Sequence, residues 1–329
     1  MLDKKIYAIL NRSRGKIISG GEISRELGVT RAAVWKEIRH LIAEGTEIES
    51  IHGRGYCLNS EDDTLSEEAI KAHLATNEIG RNIAILKTVD STNNYAKAEA
   101  ASGAPHGFTV ISEEQTAGKG RLGRKFESPA KKGIYLSIVL RPNIPARDMG
   151  FYTISAAVAV SEAVEKISGL IPEIKWVNDV LLSGKKLCGI LTEASVEGES
   201  HHLEYVVVGI GINVSTDKKD FSENVGDIAV SLSQEGLTKV NRCRLIAEIL
   251  NQYEKLYSMF LFENNKKEVL DLYKKRLCVL GKEIDIISGN TKRQGKAVLL
   301  DEEGGLVVEL PDGKRETLTY GEISIMNKE

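Results

Sequence analysis

The sequence predicts an α+β protein built from three parts. At 329 residues the chain exceeds the roughly 250–300 residues at which one hydrophobic core stops growing, so we expect more than one domain. Three helices and a hairpin open the chain, the middle strands come mostly as consecutive hairpins with few helices between them, and short strands close it. We place the three parts at residues 1–62, 63–277 and 278–329.

Composition sets the broad class. The chain is 42% hydrophobic and 28% charged, which is typical of a globular protein in water and excludes a disordered or fibrous chain. No apolar run approaches the ~20 residues of a membrane helix, and the N-terminus lacks the pattern of a signal peptide. The four cysteines form no CxxC pair, which argues against a disulfide framework or a zinc site. We therefore expect a cytoplasmic protein with no membrane contact and no metal site.

The first 58 residues predict three helices and a hairpin. Apolar residues at helical spacing form the first helix, and Glu22–Leu27 forms a second that Gly28 ends. Thr30 is a good N-cap for a third helix. That helix has a predicted buried stripe of Val34, Ile38, Leu41 and Ile42. Two strands, Ile48–Ile51 and Tyr56–Leu58, flank a His-Gly-Arg-Gly tip.

This order of elements is typical of a winged helix-turn-helix, a DNA-binding fold. Residues 1–60 carry a net charge of +3 and the remainder −6, which fits a nucleic-acid contact at one end of the chain. The alternatives are a chance fluctuation in charge and a small helical domain used for protein contacts. The candidate DNA-binding residues are Arg31, Trp35, Lys36, Arg39 and Arg54.

The middle part alternates between strands and a few helices. A polar linker at residues 59–66 leads to a helix over Ser66–Ala75, and further helices are predicted at Tyr95–Ala101, Phe151–Ile167 and Arg242–Phe260. Turns at Ser183-Gly184 and Glu197-Gly198 join hairpins, so the sheet is mixed and not doubly wound. The predicted strands are Ile83–Thr88, Phe108–Ser112, Ile134–Leu140, Ile174–Val177, Val180–Leu182, Leu187–Ala194 and Leu203–Ile212.

The last fifty residues predict a small β barrel. Hairpin turns at Gly304-Gly305 and Asp312-Gly313 separate short strands. Taken alone, this pattern fits any small β module. The predicted strands are Glu283–Ile287, Gly295–Leu300, Leu306–Leu310 and Arg315–Tyr320.

A loop at residues 114–125 combines glycine with positive charge. Its glycines match the GxGxxG spacing of dinucleotide-binding turns. Such a turn needs a helix after it and an acidic residue about 20 positions later, but Phe126–Pro129 is not helical and the region around residue 140 offers Arg141. These departures argue against a dinucleotide-binding turn. A Walker A motif is absent. Cations among glycines favour a loop that wraps an anionic ligand, although a solvated basic loop is the alternative. The cations are Lys119, Arg121, Arg124 and Lys125.

Four further polar clusters stand at predicted strand ends, at residues 90–93, 175–179, 184–191 and 209–213. The first offers hydroxyl and amide groups for a small polar ligand, although simple helix capping explains it as well. In the second, a buried Asp179 needs a partner or a function. Lys186 in the third would mean little in isolation, because a lysine at a hairpin is usually solvated. The glycine-spaced fourth could hold a planar ring.

The order DSTN, QTAGKGRLGR, KWVND, KKLCGIL and GIGINV resembles that of biotin–protein ligases. With the winged helix in front, the chain is similar to bifunctional biotin–protein ligases that also repress the biotin operon. The resemblance implies an SH3-like C-terminal barrel and an AMP-forming carbon–nitrogen ligase, a biotin–[acetyl-CoA-carboxylase] ligase. ATP and biotin would form biotinyl-5′-AMP, and a lysine of the biotin carboxyl carrier protein would accept the biotinyl group. Mg²⁺ is implied by the nucleotide.

The resemblance also implies residue roles. The catalytic residues would be Lys186, Arg121 and Asp179. Biotin would be bound by Ser91, Thr92, Asn93, Gln115, Lys119, Gly120, Arg121 and Lys186. ATP and the adenylate would be bound by Gly118, Lys119, Arg121, Arg124, Phe126, Asn178 and Asn213. Three positions depart from common family residues: Lys119 replaces Arg, Val177 replaces Pro and Phe126 replaces Trp.

Regulation follows from the same resemblance. The adenylate would act as corepressor and favour a homodimer whose two winged helices read a palindromic operator DNA. Two other functions compete with this interpretation. One is a repressor without enzymatic activity that senses a small anionic metabolite, and the other is a lipoyl or other acyl ligase with a similar sheet.

Overall fold

The structure is a computed structural model of the 329-residue chain. It describes residues 2–13, 15–43, 46–58, 63–142, 146–196, 202–237, 239–262, 265–288 and 291–326. The chain divides into two compact units, Met1–His73 with Lys239–Ala247 and Leu74–Thr238 with Glu248–Glu329. Part of the predicted linker, residues 59–62, and the predicted turn at residues 197–198 lie outside the described residues. The predicted boundary at residues 62 and 63 therefore stays a prediction.

The first unit is the predicted winged helix-turn-helix. A capping box starts α2, because the Ser19 hydroxyl accepts from the Glu22 N–H while the Glu22 carboxylate accepts from the Ser19 N–H. Gly28 ends α2 in the left-handed conformation, with φ of 66°. Its elements are α1 (Leu2–Arg12), α2 (Gly20–Leu27), α3 (Arg31–Ala43), β1 (Ile48–Ile51), β2 (Gly55–Leu58) and α4 (Glu67–Lys71).

Two predictions for this unit need correction. Ile42 is 40% exposed, so it does not belong to the buried stripe of α3, which Val34 and Ile38 form. Ile42 lies at the edge of the stripe, about 80° around the helix from Val34, and next to the helix end at Ala43, and the predicted Leu41 is half-buried. The predicted Ser66–Ala75 helix ends at Lys71, because the Ala75 N–H donates to the Asn251 side chain and not to a helical carbonyl.

The second unit contains a sheet of seven strands and most of the remaining helices. Residues 242–247 at the start of α8 are counted with the first unit. The helices are α5 (Thr92–Ala101), α6 (Gly150–Ser168), α7 (Glu223–Gly226), α8 (Arg242–Leu261) and α9 (Lys266–Arg276). The strands of the large sheet are β3 (Ile83–Leu86), β4 (Thr109–Ser112), β5 (Gly133–Leu140), β6 (Glu173–Lys175), β7 (Asp179–Leu182), β8 (Lys185–Val196) and β9 (Leu203–Asn213).

The strand order of the large sheet is β3-β4-β5-β9-β8-β7-β6. Only the β3–β4 pair is parallel, because α5 crosses between those two strands, whereas β6, β7, β8 and β9 follow one another as antiparallel hairpins. The mixed sheet predicted from the hairpin turns is confirmed. All eight residues of β5 are buried, and α5 and α6 pack on the sheet.

A five-stranded β module closes the chain. Its order is β13-β12-β11-β10-β14, and every pair is antiparallel. The sequence analysis missed β14 and the helix α9. The strands are β10 (Glu283–Ser288), β11 (Thr291–Leu300), β12 (Leu306–Glu309), β13 (Arg315–Leu318) and β14 (Glu322–Ile325).

Across the described part of the chain, no helix combines the length and apolar character that crossing a lipid bilayer requires.

The fold generates a prediction about Asp63 in the first unit. The Arg242 side chain is 2% exposed, and its Nε and backbone N–H both donate to the Asp63 carboxylate. Asp63→Ala removes a carboxylate that pairs with this buried guanidinium, so the unit should lose roughly 3 kcal/mol of unfolding free energy. Hydrogen exchange of α1 and α3 amides measures this loss. The control is Glu26→Ala, which breaks a surface pair with Arg12. Equal effects of the two substitutions would contradict the prediction.

Candidate active site and a groove in the first unit

One cavity lies where the start of α5, the 114–126 loop and the middle of β8 and β9 converge. Its empty space, which is partly open to solvent, is about 450 Å³. Among the described residues its lining includes three cations and no carboxylate. The lining residues are Ser91, Thr92, Asn93, Gln115, Lys119, Gly120, Arg121, Phe126, Asn178, Lys186, Gly189, Ile190, Leu191, Gly209, Ile210 and Gly211.

A second cavity, whose empty space is about 1010 Å³ and partly open to solvent, lies beside the first. Five residues line both cavities: Gly120, Arg121, Phe126, Asn178 and Lys186. The second cavity also receives Lys175, Trp176, Asp179 and Asn213 from the sheet, Arg124 and Lys125 from the loop, Phe221, Val225, Ile228 and Ala229 from around α7, and Gly321 and Glu322 from the C-terminal module. The cationic loop and the start of β8 therefore share one site, as the resemblance requires.

The loop itself is a tight hairpin. Gly120 N–H donates to the Arg124 carbonyl at 2.7 Å, and Phe126 N–H donates to the Gly118 carbonyl at 2.9 Å. A side chain at position 118 would overlap the Phe126 carbonyl, so only glycine fits there. At the tip, the Arg124 side chain pairs with Glu322 of the C-terminal module at 2.5 Å. The loop is thus held at both its base and its tip.

Two glycines leave space on the sheet for the Phe126 ring. Gly189 on β8 and Gly211 on β9 are register partners, so their missing side chains leave one flat patch on the sheet. A Cβ at position 211 would lie 2.6 Å from the ring, and one at 189 would lie 3.3 Å from it. Tyr135 supports the ring from its edge, with centroids 6.5 Å apart. Phe126 consequently stands in the wall that the two cavities share.

Lysines flank the one buried carboxylate of the second cavity. Lys186 Nζ lies 2.7 Å from one oxygen of Asp179, and Lys175 Nζ lies 3.4 Å from the other. Asp179 is 9% exposed. The backbone of Lys186 is anchored as well, because its N–H donates to the Ile228 carbonyl at 2.8 Å. The sequence-based expectation that buried Asp179 needs a partner is met by these two lysines.

Arg121 is held in the shared wall by Asn178. Its guanidinium donates to Asn178 Oδ1 at 3.0 Å, and Asn178 Nδ2 donates to the Ile190 carbonyl at 2.8 Å. Burial lowers the pKa of Arg121, although Asp179 and Glu322 oppose the shift. A guanidinium that has lost water gains most from an anion delivered to the cavity.

Polar side chains of the first cavity are linked to one another. The Gln115 carbonyl oxygen accepts from the Thr92 N–H at 2.8 Å, and the Gln115 amide donates to Ser128 at 2.8 Å. Ser91 occupies the N-cap position of α5 but makes no side-chain capping bond. Helix capping therefore does not account for its hydroxyl.

Glu193 lies behind this cavity on β8. Its carboxylate accepts from Asn93 Nδ2 at 2.8 Å and pairs with Lys97 at 2.5 Å. Burial raises the pKa of Glu193, but the hydrogen bonds from Lys97 and Asn93 outweigh burial and hold the pKa below its ordinary value. The carboxylate is therefore ionised at neutral pH and fixes the Asn93 amide.

The remaining predicted site residues are placed as follows. Lys119 Nζ donates to Asn94 Oδ1 at 2.7 Å, and Asn213 Nδ2 donates to the Val230 carbonyl at 3.2 Å. Gly118 is absent from the described lining of both cavities and acts through the hairpin. The peptide bond between Trp176 and Val177 is cis.

Sequence reasoning missed the supporting residues. Ser137 and Glu193 contact the predicted Asn93, Lys97 pairs with Glu193, and the segment around α7 lines the second cavity. One signal was visible, since Ser137 is the single polar residue within the apolar run Ile134–Leu140. The sequence around α7 carries no comparable signal.

A groove in the first unit lies between α3 and the β1–β2 hairpin. Of the predicted DNA-binding residues, Arg31, Trp35 and Arg54 line it, whereas Lys36 and Arg39 do not. Trp35 is 52% exposed, and the Arg39 guanidinium lies 5.1 Å from the centre of its ring. Exposed cations and an indole on one concave face suit a nucleic-acid partner.

Within the described ranges, no group of three or more His, Cys, Asp or Glu side chains is arranged to hold a metal ion.

Three family models match the chain: the HTH domain at residues 3–57, the Biotin/lipoate A/B protein ligase family at residues 85–213, and the Biotin protein ligase C terminal domain at residues 279–326. The chain is 36% identical over 312 residues to the bifunctional ligase/repressor BirA of Bacillus spizizenii, covering 95% of each chain. It is 29% identical over 326 residues to the bifunctional ligase/repressor BirA of Escherichia coli, covering 99% of this chain and 97% of that one.

Among solved structures, the chain is similar to the biotin protein ligase from Aquifex aeolicus in complex with biotin and ATP. The TM-score is 0.64 and the identity 29%, over 75% of this chain and 100% of that chain.

The site geometry predicts a pH-dependent role for Glu193 in stability. Because its folded-state pKa lies below the ordinary value of 4.5, its contribution is present above pH 4.5 and is lost as the pH falls through the folded-state pKa. Glu193→Gln should cost about 1 kcal/mol at pH 7 and less at pH 4. Denaturant unfolding at both pH values measures this. Glu204→Gln, at an exposed partner of Ser195, is the control. A pH-independent difference would contradict the prediction.

Proposed function

The chain belongs to the family of bifunctional biotin–protein ligases and biotin operon repressors, and from this premise we propose how its own residues carry out both activities. It is an ATP-dependent, AMP-forming biotin–[acetyl-CoA-carboxylase] ligase. The enzyme forms biotinyl-5′-AMP and transfers the biotinyl group to a lysine of the biotin carboxyl carrier protein. With biotinyl-5′-AMP as corepressor, the same chain binds operator DNA and represses genes of biotin synthesis and transport.

One observation carries the ligase proposal: Lys186 and Arg121 line both cavities at once. The first reaction brings a carboxylate and a phosphate together, so the two reactants repel each other. Two cations in the wall between the reactants lower that repulsion and stabilise the charge of the transition state. Biotin would occupy the first cavity, whose polar end is formed by Ser91, Thr92, Asn93, Gln115, Lys119 and Gly120. ATP would occupy the second, near Arg124, Phe126, Asn178 and Asn213.

In the first step, a biotin carboxylate oxygen attacks the α-phosphorus of ATP, and the bond to the pyrophosphate leaving group breaks. Lys186 donates hydrogen bonds to the carboxylate and the α-phosphate, and Arg121 stabilises the negative charge on the oxygens of the α-phosphate. Lys186 is already oriented by Asp179 at 2.7 Å. The loop hairpin, held by the Arg124–Glu322 pair at 2.5 Å, limits access of water to the mixed anhydride.

In the second step, the amine of the carrier lysine attacks the acyl carbon, and the bond between that carbon and the AMP oxygen breaks. The amine must arrive uncharged, and the proton that it loses as the amide forms passes to the departing AMP phosphate or to water. Asp179 is the carboxylate in position to orient this amine, because it lies in the second cavity between Lys175 and Lys186. Lys186 can release Asp179 when the phosphate attracts its ammonium group.

Mg²⁺ enters this scheme with the nucleotide as part of the substrate. Around the second cavity, the described carboxylates Asp179 and Glu322 are engaged in ion pairs, and Glu127 accepts from Ser222. A Mg²⁺ ion there would be held by phosphate oxygens and water, a common arrangement at nucleotide sites.

The repressor activity belongs to the groove of the first unit. Arg31 and Arg54 would contact the DNA backbone from α3 and from the hairpin tip, while Trp35, Lys36 and Arg39 extend the exposed face of α3. A ligand-dependent homodimer would present two such faces to a palindromic operator. Since operator DNA and the carrier protein of a bacterium lie in the cytoplasm, we place the protein there.

The two competing functions account less well for the site. A repressor without enzymatic activity would not need Lys186 and Arg121 in a wall shared by two cavities. A lipoyl ligase is compatible with the description of the central family model, which covers biotin and lipoate alike. The match of residues 279–326 to the Biotin protein ligase C terminal domain and the similarity to the Aquifex aeolicus biotin protein ligase favour biotin.

Incubation of the protein with ATP and biotin tests the proposal directly. We expect a bound product with the mass of biotinyl-5′-AMP, together with one pyrophosphate per adenylate formed. Lipoate in place of biotin serves as the control substrate. Adenylation of lipoate but not of biotin would contradict the proposal.

Lys186→Ala should reduce the rate of pyrophosphate release on the order of a hundredfold or more, because it removes a transition-state donor. Lys185→Ala is the matched control, since Lys185 is the exposed neighbour on β8 and lies outside the described lining of both cavities. Near-normal pyrophosphate release by Lys186→Ala would remove Lys186 from its proposed role.

Ligand binding should also change the oligomeric state. Ordering of the 118–125 loop around the adenylate lowers the entropic cost of forming an interface, so biotin with ATP should shift the protein from monomer to dimer. Analytical ultracentrifugation with both substrates, with ATP alone and with neither measures the mass. Identical masses in all three samples at operator-binding concentrations would defeat the homodimer.

A further inference from the structure

A chain of hydrogen bonds runs from Glu193 behind the first cavity to Thr92 in its lining. Asn93 Nδ2 lies 2.8 Å from the Glu193 carboxylate and 3.1 Å from the Leu191 carbonyl. Asn93 Oδ1 lies 2.7 Å from Ser137 Oγ, and Ser137 Oγ lies 2.8 Å from Thr92 Oγ1. Ser137 is fully buried and does not line either cavity as described.

The orientation of the Asn93 amide is determined by its neighbours. Both groups around Nδ2, a carboxylate and a backbone carbonyl, can only accept hydrogen bonds, so the amide nitrogen must face them. The amide oxygen is then directed at Ser137. Gly209, the register partner of Ser137, leaves the space for it, since a Cβ at position 209 would overlap Asn93 Oδ1.

The orientation of the Asn93 amide determines where the hydroxyl protons of Ser137 and Thr92 point. Ser137 has one hydroxyl proton and must give it to Asn93 Oδ1, because an amide oxygen can only accept. The Thr92 hydroxyl then faces two groups that cannot donate to it: Ser137 Oγ at 2.8 Å and the Gln115 carbonyl oxygen at 3.1 Å. Whichever of them receives the Thr92 proton, that proton is bound by a protein acceptor and is not offered to a ligand in the cavity.

We propose that Ser137 is a positioning residue that makes Thr92 an obligate hydrogen-bond acceptor toward the ligand. This inference rests on the proposed biotin-binding function and deepens it. The Thr92 oxygen can offer only lone pairs to the first cavity, so the ligand atom that meets it must carry a proton. An N–H of the ureido ring satisfies this requirement, whereas a ring oxygen at the same place brings two lone pairs together.

The direction of the Thr92 hydroxyl is determined by a chain of hydrogen bonds that begins behind the cavity. Glu193 and Leu191 orient Asn93, Asn93 takes the proton of Ser137, and Ser137 directs Thr92 inward. Ser137→Ala breaks this chain at its central link. The Thr92 hydroxyl then has the Gln115 oxygen as its one remaining protein acceptor, at 3.1 Å, and can turn its proton toward a ligand oxygen instead.

The test compares biotin with its two cyclic carbamate analogues, in each of which an oxygen replaces one ureido N–H. The kcat/KM for adenylate formation is measured for all three ligands with wild-type protein. We expect wild type to prefer biotin on the order of 100-fold or more over one of the carbamates, because a buried acceptor without a donor is strongly unfavourable.

The same ratio is then measured for Ser137→Ala and for Ser155→Ala. Ser155 is the matched control, a buried serine on α6 whose hydroxyl has no hydrogen-bond partner among the described residues. Ser137→Ala should lower the biotin-to-carbamate ratio by about tenfold through a gain on the carbamate. Ser155→Ala should leave the ratio within about twofold of wild type.

Several outcomes would overturn the inference. A wild type that accepts biotin and both carbamates equally well would overturn it even if Ser137→Ala fails to fold. A parallel loss on all ligands in folded Ser137→Ala would reduce Ser137 to a structural role. If no biotin adenylate forms at all, the proposed function fails and this inference with it, whereas a biotin adenylate formed without discrimination removes this inference alone.

Discussion

The site depends on cations held where water is scarce and carboxylates are few. Arg121 and Lys186 stand in the wall between two cavities, and among the residues described around that wall Asp179 is the nearest counter-charge. Burial lowers the pKa of Arg121, which means that the desolvated guanidinium is held at a cost. Anionic reactants would relieve that cost. In the proposed function, the same electrostatic imbalance would favour the binding of two anionic reactants side by side.

Glycines, which have no side chain, make this arrangement possible. Gly189 and Gly211 seat the Phe126 ring, Gly209 admits the Asn93 amide, and Gly118 closes the loop hairpin. Each of these glycines lies where another chain segment approaches the backbone closely, so any larger residue would displace a functional group. The glycines on β8 and β9 act in adjacent register, which turns two separate sequence motifs into one flat surface.

Much of the fold could be predicted because its elements carry local signals. Turn residues and β-branched runs marked the hairpins, and Gly28 and Thr30 marked helix ends of the first unit. Helix α9 was missed because its sequence is dominated by charge, with Val269, Leu270 and Tyr273 as its buried residues. Strand β14 is four residues long and is recognisable mainly through its pairing with β10. Such pairing is a long-range property that no local pattern contains.

The sequence by itself determined which cations, amides, hydroxyls and glycines are available to the site and in which order the motifs occur. It also determined the three-part organisation, because hydrophobic periodicity and turn residues act over a few positions. Only the tertiary structure decided that Lys186 and Arg121 line both cavities, that Glu322 pairs with the loop, and that Ser137 links Asn93 to Thr92. These contacts join residues far apart in the chain, and hydrogen-bond direction depends on every neighbour of each group in three dimensions.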